Sequence, residues 1–261
     1  MRLSLLGPLK AESDGTQLLV TAAKQRAVLA ALAIGANNVV NVDKLAEAIW
    51  GSEPPPTRDD TIRTYIHRLR KCLGPEGRRR IVIQPPGYIL RIEAGELDLL
   101  RFESLVREGR ASVDASDWPS AARLLRQADE LWRGTPLADI PARHLHERYI
   151  RYLEQTRLTA LELRIEADIR ASRHGAAGTV PELEVLTTRY PERERLRLLR
   201  MLALFRAGRQ AEALAVFQET RCYSIAEHGV DPGPELTHVH KQILAQEPGL
   251  LSERLDRVFF A

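Results

Sequence analysis

Between Thr57 and Gly74 the chain reads TRDDTIRTYIHRLRKCLG, which crowds Arg63, His67, Arg68, Arg70 and Lys71 into one short stretch. Guanidinium, imidazole and ammonium groups this close together bind anions. Arginine adds a planar fork that can give two parallel hydrogen bonds to one partner. The chemistry on offer is recognition of phosphates and base edges rather than bond making. No acid/base pair of carboxylates, no nucleophile elbow and no zinc-type spacing occurs in the sequence. An enzyme is therefore not expected.

The element that must present these groups is a helix. At about 100° per residue, Ile62, Ile66, Leu69 and Leu73 fall in one narrow stripe. Thr64 and Lys71 lie nearly opposite it, His67 and Arg68 flank them, and Arg63 and Arg70 sit on the shoulder. Burying the stripe turns the cations outward. For an isolated helix a solvated charged face would explain the pattern equally well. The neighbouring residues point elsewhere: an Arg-rich turn (Arg78, Arg79, Arg80), then Ile81 to Leu90, which reads as a β-hairpin around Pro85-Pro86-Gly87. A basic helix followed by a small hairpin is the layout of a winged helix that docks on DNA.

The charge distribution supports this reading. Formal net charge over 261 residues is only +3. Residues 1–95 hold 14 Lys/Arg and 9 Asp/Glu, a net of +5, and the remainder is slightly acidic. A local positive field on a nearly neutral chain suits a phosphate-binding site. Cys72 and Cys222 stand far apart in helical patterns, which gives neither a disulfide framework nor a metal site; Cys72 is expected to be half-buried and inert. The apolar run in Met1–Pro8 is too short for a signal peptide, and no run approaches the roughly 18 residues of a membrane span. A cytoplasmic, nucleoid-associated protein is expected.

The first 20 residues alternate apolar runs with Gly7-Pro8 and Asp14-Gly15, predicting strands near 2–6, 8–12 and 17–20. Thr21 is placed to cap a helix from Ala22 to about Ala36, which Asn37-Asn38 stops. Extended Val39-Val40-Asn41 and a helix from Val42 to Trp50 come next, the latter ended by Gly51. Ser52-Glu53-Pro54-Pro55-Pro56 forms a stiff loop. Beyond Glu96 strand signals vanish. Helical patterns cover 98–113, 117–132, 141–173, 180–189, 193–206, 209–228 and 234–246, with breaks that include Gly175 to Gly178. Their spacing predicts tetratricopeptide-like helix pairs, with Leu198, Leu202, Phe205, Gly208, Ala213 and Phe217 in one such hairpin. The fold class is thus mainly α with a small β component: a winged helix (1–95), an all-α domain (96–247) and a tail (248–261).

Several segments in this order resemble the Streptomyces antibiotic regulatory protein family. They include Asn38-Val39-Val40-Asn41-Val42-Asp43-Lys44-Leu45 with Ile49-Trp50-Gly51, the triple proline, Tyr65-Ile66-His67-Arg68-Leu69-Arg70-Lys71 and Pro86-Gly87-Tyr88. In the second half they include Asp98 with Arg101-Phe102-Glu103, Leu131-Trp132-Arg133-Gly134, Gly208 to Leu214 and Gly229 to Leu236. The resemblance covers about residues 1–247. It implies an OmpR-type winged helix joined to a bacterial transcriptional activation domain. It also implies a transcription activator of secondary-metabolite (antibiotic) gene clusters. Two copies would bind direct repeats of double-stranded DNA head-to-tail and contact RNA polymerase holoenzyme. Longer members carry a nucleotide-binding module. This chain ends before one could begin and lacks a Gly-rich loop with Lys-Ser/Thr, so no ATP or other cofactor is expected.

Combined with the helix angles, the resemblance assigns roles. Thr64 and Arg68 are best placed for base edges in the major groove. Thr61, Arg63, His67, Arg70 and Lys71 fall to phosphates, which position the protein without reading sequence. Many OmpR-type proteins carry an Arg before the hairpin glycine for the minor groove. Gln84-Pro85-Pro86 stands there instead, and Arg78, Arg79 and Arg80 are expected to supply phosphate contacts. Read by itself, the loop Ser52, Glu53, Pro54, Pro55, Pro56 and Thr57 is a connector as readily as a docking site; the resemblance makes it a polymerase-contact loop. His144/His146 and His238/His240 lie two apart and point to different helix faces, so packing or surface roles are expected. Trp50, Trp118 and Trp132 are expected in cores or domain contacts. The alternative function is a helical-repeat interaction protein whose basic N-terminal domain binds nucleic acid incidentally. Arg and Thr on the helix, rather than a pure Lys run, favour the activator.

Overall fold

A computed structural model describes residues 1–141, residue 145, residues 149–171 and residues 173–247. Two small antiparallel sheets frame the first helices. Strands β1 (Arg2–Ser4), β2 (Lys10–Ser13) and β3 (Thr16–Gln17) form one sheet in chain order, with Leu3 opposite Ala11 and Glu12 opposite Gln17. They are shorter than the apolar alternation suggests, because Leu5, Leu6 and Leu9 pack as buried loop residues. The second sheet, ordered β4-β6-β5, joins β4 (Val40–Asn41) to the hairpin of β5 (Ile81–Gln84) and β6 (Gly87–Leu90). Asn41 faces Gly87 across it. A Cβ on Gly87 would lie 2.0 Å from the Val40 carbonyl oxygen, so only glycine lets β4 close on the hairpin.

Helix α1 (Ala23–Ile34) is rich in Ala and Leu, strong helix formers, and buries eight of its residues. Thr21 does not cap it: Ala22 occupies the N-cap and no side chain caps the helix. Asn37, at φ 64°, clamps the chain after β6, donating its side-chain N–H to the Ile92 carbonyl and accepting from Ile92 N–H. Helix α2 (Val42–Trp50) begins at Asn41, whose side chain accepts from Lys44 N–H at 2.8 Å. Helix α3 (Arg58–Cys72) comes after the proline loop. Its stripe Ile62, Ile66 and Leu69 is buried together with Leu73, each worth about 1.5–3 kcal/mol relative to exposure.

The Arg-rich segment after α3 is not a turn but a seven-residue helix, α4 (Gly74–Arg80). Pro75 fits the first helical turn, and three arginines in the last turn complement the helix dipole. Gly77 lets α4 lie against α3, since a Cβ there would meet the Arg70 carbonyl oxygen at 2.8 Å.

Helices α5 (Asp98–Asp114), α6 (Trp118–Asp129), α7 (Arg151–Ala171), α8 (Arg173–Arg189), α9 (Glu194–Arg206), α10 (Gln210–His228) and α11 (Pro234–Leu244) complete the described residues. The molecule is mainly α with small sheets. The expected break at Gly175 to Gly178 does not occur: α8 runs through Gly178 and Pro181. Buried Ala176, Val180 and Leu183 hold it helical against local propensity.

Contacts divide the chain into two compact units. One is Met1–Val106 with Gln127–Leu158; the other is Arg107–Arg126 with Thr159 onward. In the first, residues 133–139 lie along the β1–β2 connection. Arg133 N–H donates to the Leu6 carbonyl at 2.7 Å, Leu137 N–H to the Gly7 carbonyl at 2.8 Å, and Leu9 N–H to Asp139 at 2.9 Å. Asp98 accepts from the backbone N–H groups of Leu5 and Leu6. Its burial pushes the carboxyl pKa up, partly offset by those N–H groups and Arg133. Trp132 is buried edge-on against Phe102 at 5.3 Å, with Arg157 over its ring.

In the second unit α9 packs between α8 and α10, as the expected helix pairs require. Its core includes Leu198, Leu202, Phe205, Ala213 and Phe217. Trp118 is half-buried beneath the Arg170 guanidinium. His240 stacks on Phe217 at 3.8 Å, a packing role. His144, His146 and the tail 248–261 lie outside the described residues.

Candidate nucleic-acid interface

Helix α3 is held from three sides, and each hold leaves its outer face clear. Its apolar stripe faces the core. On one flank Tyr65 stacks with Trp50 of α2 at 6.4 Å, and Lys24 of α1 lies over the Trp50 ring. On the other, Arg70 donates Nε and one terminal nitrogen to the Ile81 carbonyl at 3.0 and 2.7 Å, fastening the hairpin to the helix. The hairpin therefore stands beside α3 at a fixed distance.

Of the two residues assigned to base edges, both are exposed. The Thr64 hydroxyl donates to the Asp60 carbonyl at 2.9 Å, which leaves its oxygen lone pairs outward. Arg68 makes no hydrogen bond or ion pair with any described residue. His67 and Lys71 are likewise exposed and without partners among the described residues. Thr61 is half-buried and back-bonded to the Thr57 carbonyl. Arg63 is 71% exposed and pairs with Asp60 at 3.1 Å. Asp60 itself, one helical turn before Thr64, belongs to this outer face and is absent from the sequence assignment. The same helix angles would have found it.

The three arginines of α4 diverge. Arg78 is exposed and has no partner among the described residues; Arg79 is exposed and pairs with Glu76 at 3.1 Å. Arg80 is only 4% exposed. It donates to Glu76 at 2.5 Å, to both oxygens of Glu96 and to the Arg91 carbonyl. A phosphate contact by Arg80 is therefore corrected to a structural role, because its guanidinium is buried and consumed. Burial works against its charge, yet Glu76 and Glu96 outweigh this and raise its pKa. Arg70 is corrected in part, since two of its nitrogens serve the hairpin.

The loop from Ser52 to Thr57 sits directly before α3. Ser52, Glu53, Pro56 and Thr57 are exposed, while Pro54 and Pro55 are half-buried. The Pro55 carbonyl accepts from Arg58 N–H at 3.0 Å, closing the loop onto the helix. Cys72 is exposed rather than half-buried. Among the described residues no cluster of three His, Cys, Asp or Glu is arranged to hold a metal, and no helix is long and apolar enough to cross a membrane.

Two families match in tandem. The C-terminal domain of transcriptional regulatory proteins matches residues 15–90, and the bacterial transcriptional activator domain matches residues 97–244. The regulatory protein DnrI of Streptomyces peucetius is 37% identical over 258 residues, covering 96% of this chain and 94% of that protein. The chain belongs to the Streptomyces antibiotic regulatory protein family. Another relative, the regulatory protein AfsR of Streptomyces coelicolor, is 41% identical over 251 residues; the match covers 96% of this chain and only 25% of AfsR. A solved structure of Mycobacterium tuberculosis EmbR, in complex with a low-affinity phosphopeptide, superposes with a TM-score of 0.88 at 34% identity. It covers 95% of this chain and 65% of that one. Within this antibiotic-regulator family the chain is a DNA-binding transcriptional regulator with an OmpR-type N-terminal domain and a helical activator domain.

Proposed function

We propose that this chain activates transcription of a secondary-metabolite gene cluster by binding direct repeats as two head-to-tail copies and engaging RNA polymerase holoenzyme. The observation that carries the reading is the outer face of α3. Arg68, His67 and Lys71 point to solvent without a partner among the described residues, on a helix already fixed on its other sides. Exposed basic side chains without a protein partner, beside a threonine and an arginine, suit a major groove, where phosphates place the helix and Arg68 and Thr64 meet base edges. The domains are taken as 1–95 for DNA and 96–247 for activation, acting in the cytoplasm at the nucleoid. Residues 52–57 adjoin the DNA-facing helix, and their prolines pre-set an extended shape that lowers the entropy lost when a partner docks.

The test uses one promoter template for affinity and transcript yield. The parent should bind it in excess nonspecific DNA and stimulate purified holoenzyme. Inserting half a helical turn between the repeats should cripple two-copy occupancy, because the copies would fall on opposite faces of the duplex. Replacing Pro54, Pro55 and Pro56 with Gly should keep affinity and lower transcript yield. Binding that nonspecific competitor abolishes would favour incidental nucleic-acid contact instead.

A further inference from the structure

Helix α9 carries two arginines one turn apart, Arg197 and Arg200, and both reach the same turn of α10. Arg197 is only 9% exposed, yet it pairs with no carboxylate among the described residues. Its Nε donates to the Pro191 carbonyl at 3.2 Å, and one terminal nitrogen reaches the Thr220 hydroxyl at a long 3.5 Å. Its guanidinium lies over the Tyr223 ring at 5.1 Å. Arg200 is half-buried. It meets Glu184 of α8 and Glu219 of α10 only at 3.7 and 4.0 Å, and both carboxylates are exposed. Its Nε is shut off from solvent and makes no hydrogen bond among the described residues.

A buried guanidinium ordinarily has an anion against it, because taking a charge out of water costs more than packing its stem returns. Arg164 and Arg170 of the same unit obey this, with Asp168 at 2.8 Å and Glu166 at 2.9 Å. Arg197 departs from it. Burial pushes its pKa down; Tyr223, Glu219 and Glu194 offset this only in part, and the neighbouring Arg200 charge adds to it.

We propose that Arg197 and Arg200 form a binding site for one oxyanion, the phosphate or carboxylate of a small ligand, at the seam between α9 and α10. Two guanidinium groups on one helix face repel each other until an anion sits between them, and an oxyanion accepts hydrogen bonds from both. Tyr223, half-buried beside Arg197, bounds the site on one side. The exposed Glu184 and Glu219 select against a polyanion. A DNA strand or an acidic protein face would meet these two carboxylates before the arginines. A single small anion needs only their loose hold on Arg200 to yield. All of these residues belong to the second compact unit, so the site stands apart from the DNA-binding reading of α3.

The experiment follows thermal unfolding of the full chain while sodium phosphate, or in a second arm sodium acetate, replaces sodium chloride at constant pH and ionic strength. A ligand that binds only the folded state raises the melting temperature. The parent should respond with an apparent dissociation constant on the order of 1 mM, that of a few charge-assisted hydrogen bonds. The arm with the stronger response identifies the oxyanion. Arg197→Met keeps most of the side-chain volume and removes the charge. It should melt higher than the parent in chloride, because a buried charge without a carboxylate is gone, and its affinity for the anion should fall at least about tenfold. Arg200→Met should lose the response as well, and it carries the test should Arg197→Met melt too low to titrate. Arg221→Met removes an exposed arginine of α10 that pairs with Asp231, and should respond as the parent does. Phosphate resting on the exposed cations of α3 would stabilise both α9 variants as much as the parent, and that result overturns the proposal. A parent that melts alike in all three salts overturns it too.

Discussion

Helices α3 and α7 are both rich in arginine, and the fold uses the two sets in opposite ways. Helix α3 carries five Lys/Arg against two Asp/Glu, and α7 carries four of each. On α3 Arg63, Arg68 and Lys71 lie in water, and Arg68 and Lys71 have no protein partner among the described residues. On α7 two of the four turn inward. Arg164 and Arg170 are buried, Arg164 pairs with Asp168 at 2.8 Å and Glu182 at 2.5 Å, and Glu166 pairs with Arg170 at 2.9 Å and Arg195 at 2.6 Å. An exposed cation without a partner keeps its charge available to a ligand. A buried, paired one has committed that charge to its neighbour and contributes register and packing. Arginine content alone therefore does not identify a nucleic-acid helix; the inventory of partners does.

The sharpest way to break this comparison is to remove one buried partner. Glu166→Ala deletes the carboxylate that Arg170 and Arg195 share and should destabilise the chain by about 3–5 kcal/mol, because a buried guanidinium loses a charged partner. Denaturant unfolding would measure it, and a change below about 1 kcal/mol would mean the α7 charges are solvated after all. DNA sequence preference should survive at a temperature where the variant stays folded.

Arg68→Ala is the mirror case. It should leave the melting temperature nearly unchanged and cost about 1–3 kcal/mol in binding to the specific site, with little effect on nonspecific DNA. Equal losses on both would move Arg68 from base reading to phosphate contact. Lys71→Ala and Arg78→Ala should each weaken all sequences alike and flatten the salt slope by about one contact. Arg80→Ala, two residues beyond Arg78, should instead lower stability and leave that slope intact. A flattened slope for Arg80→Ala would overturn its reassignment.

The smallest expected effect is on pH. Burial opposes the charge of Glu96, but the Glu93 N–H, the terminal amine and Arg80 hold its pKa below the ordinary carboxylate value; hydrogen bonds from Arg80 do the same for Glu76. A depressed pKa in the folded state contributes stability that is full above the unfolded value, about 4.3, and is lost as pH falls through the folded value. Asp98, whose pKa burial raises, acts in the opposite sense and softens the acid loss. Unfolding measured from about pH 5 down to about pH 3 should therefore show a modest acid-side decline that Arg80→Ala reduces. An unchanged decline in that variant would place its source elsewhere.

Much of the fold and of the interface is legible in the sequence. The angular stripe of α3, the turn residues around the hairpin and the helical periods beyond Glu96 each reflect rules local to a few residues, and the order of family motifs carries the rest. Misreadings arise where local propensity meets distant contacts. Glycines at 175 and 178 suggest a break, yet packing keeps α8 helical through Gly178. Gly74-Pro75 suggests a turn, yet α4 forms because it can lie on Arg70 and Leu73.

What the sequence determined by itself was the pattern: where most of the helices run, which face of α3 is apolar, and where positive charge gathers. What only the tertiary structure decided was the fate of each charge. Arg78, Arg79 and Arg80 are indistinguishable as letters, yet among the described residues one has no partner, one is paired at the surface and one is buried. Partners 16 residues away, such as Glu96 for Arg80, are chosen by how α4 packs against its surroundings rather than by neighbours in the chain. Periodicity is a property of one element, whereas desolvation and pairing are properties of the assembled surface. For that reason the open groove between α3 and the β5–β6 hairpin, with Arg63, His67 and Arg70 on one wall and Ile83, Pro85 and Pro86 on the other, exists only once helix and hairpin are brought together.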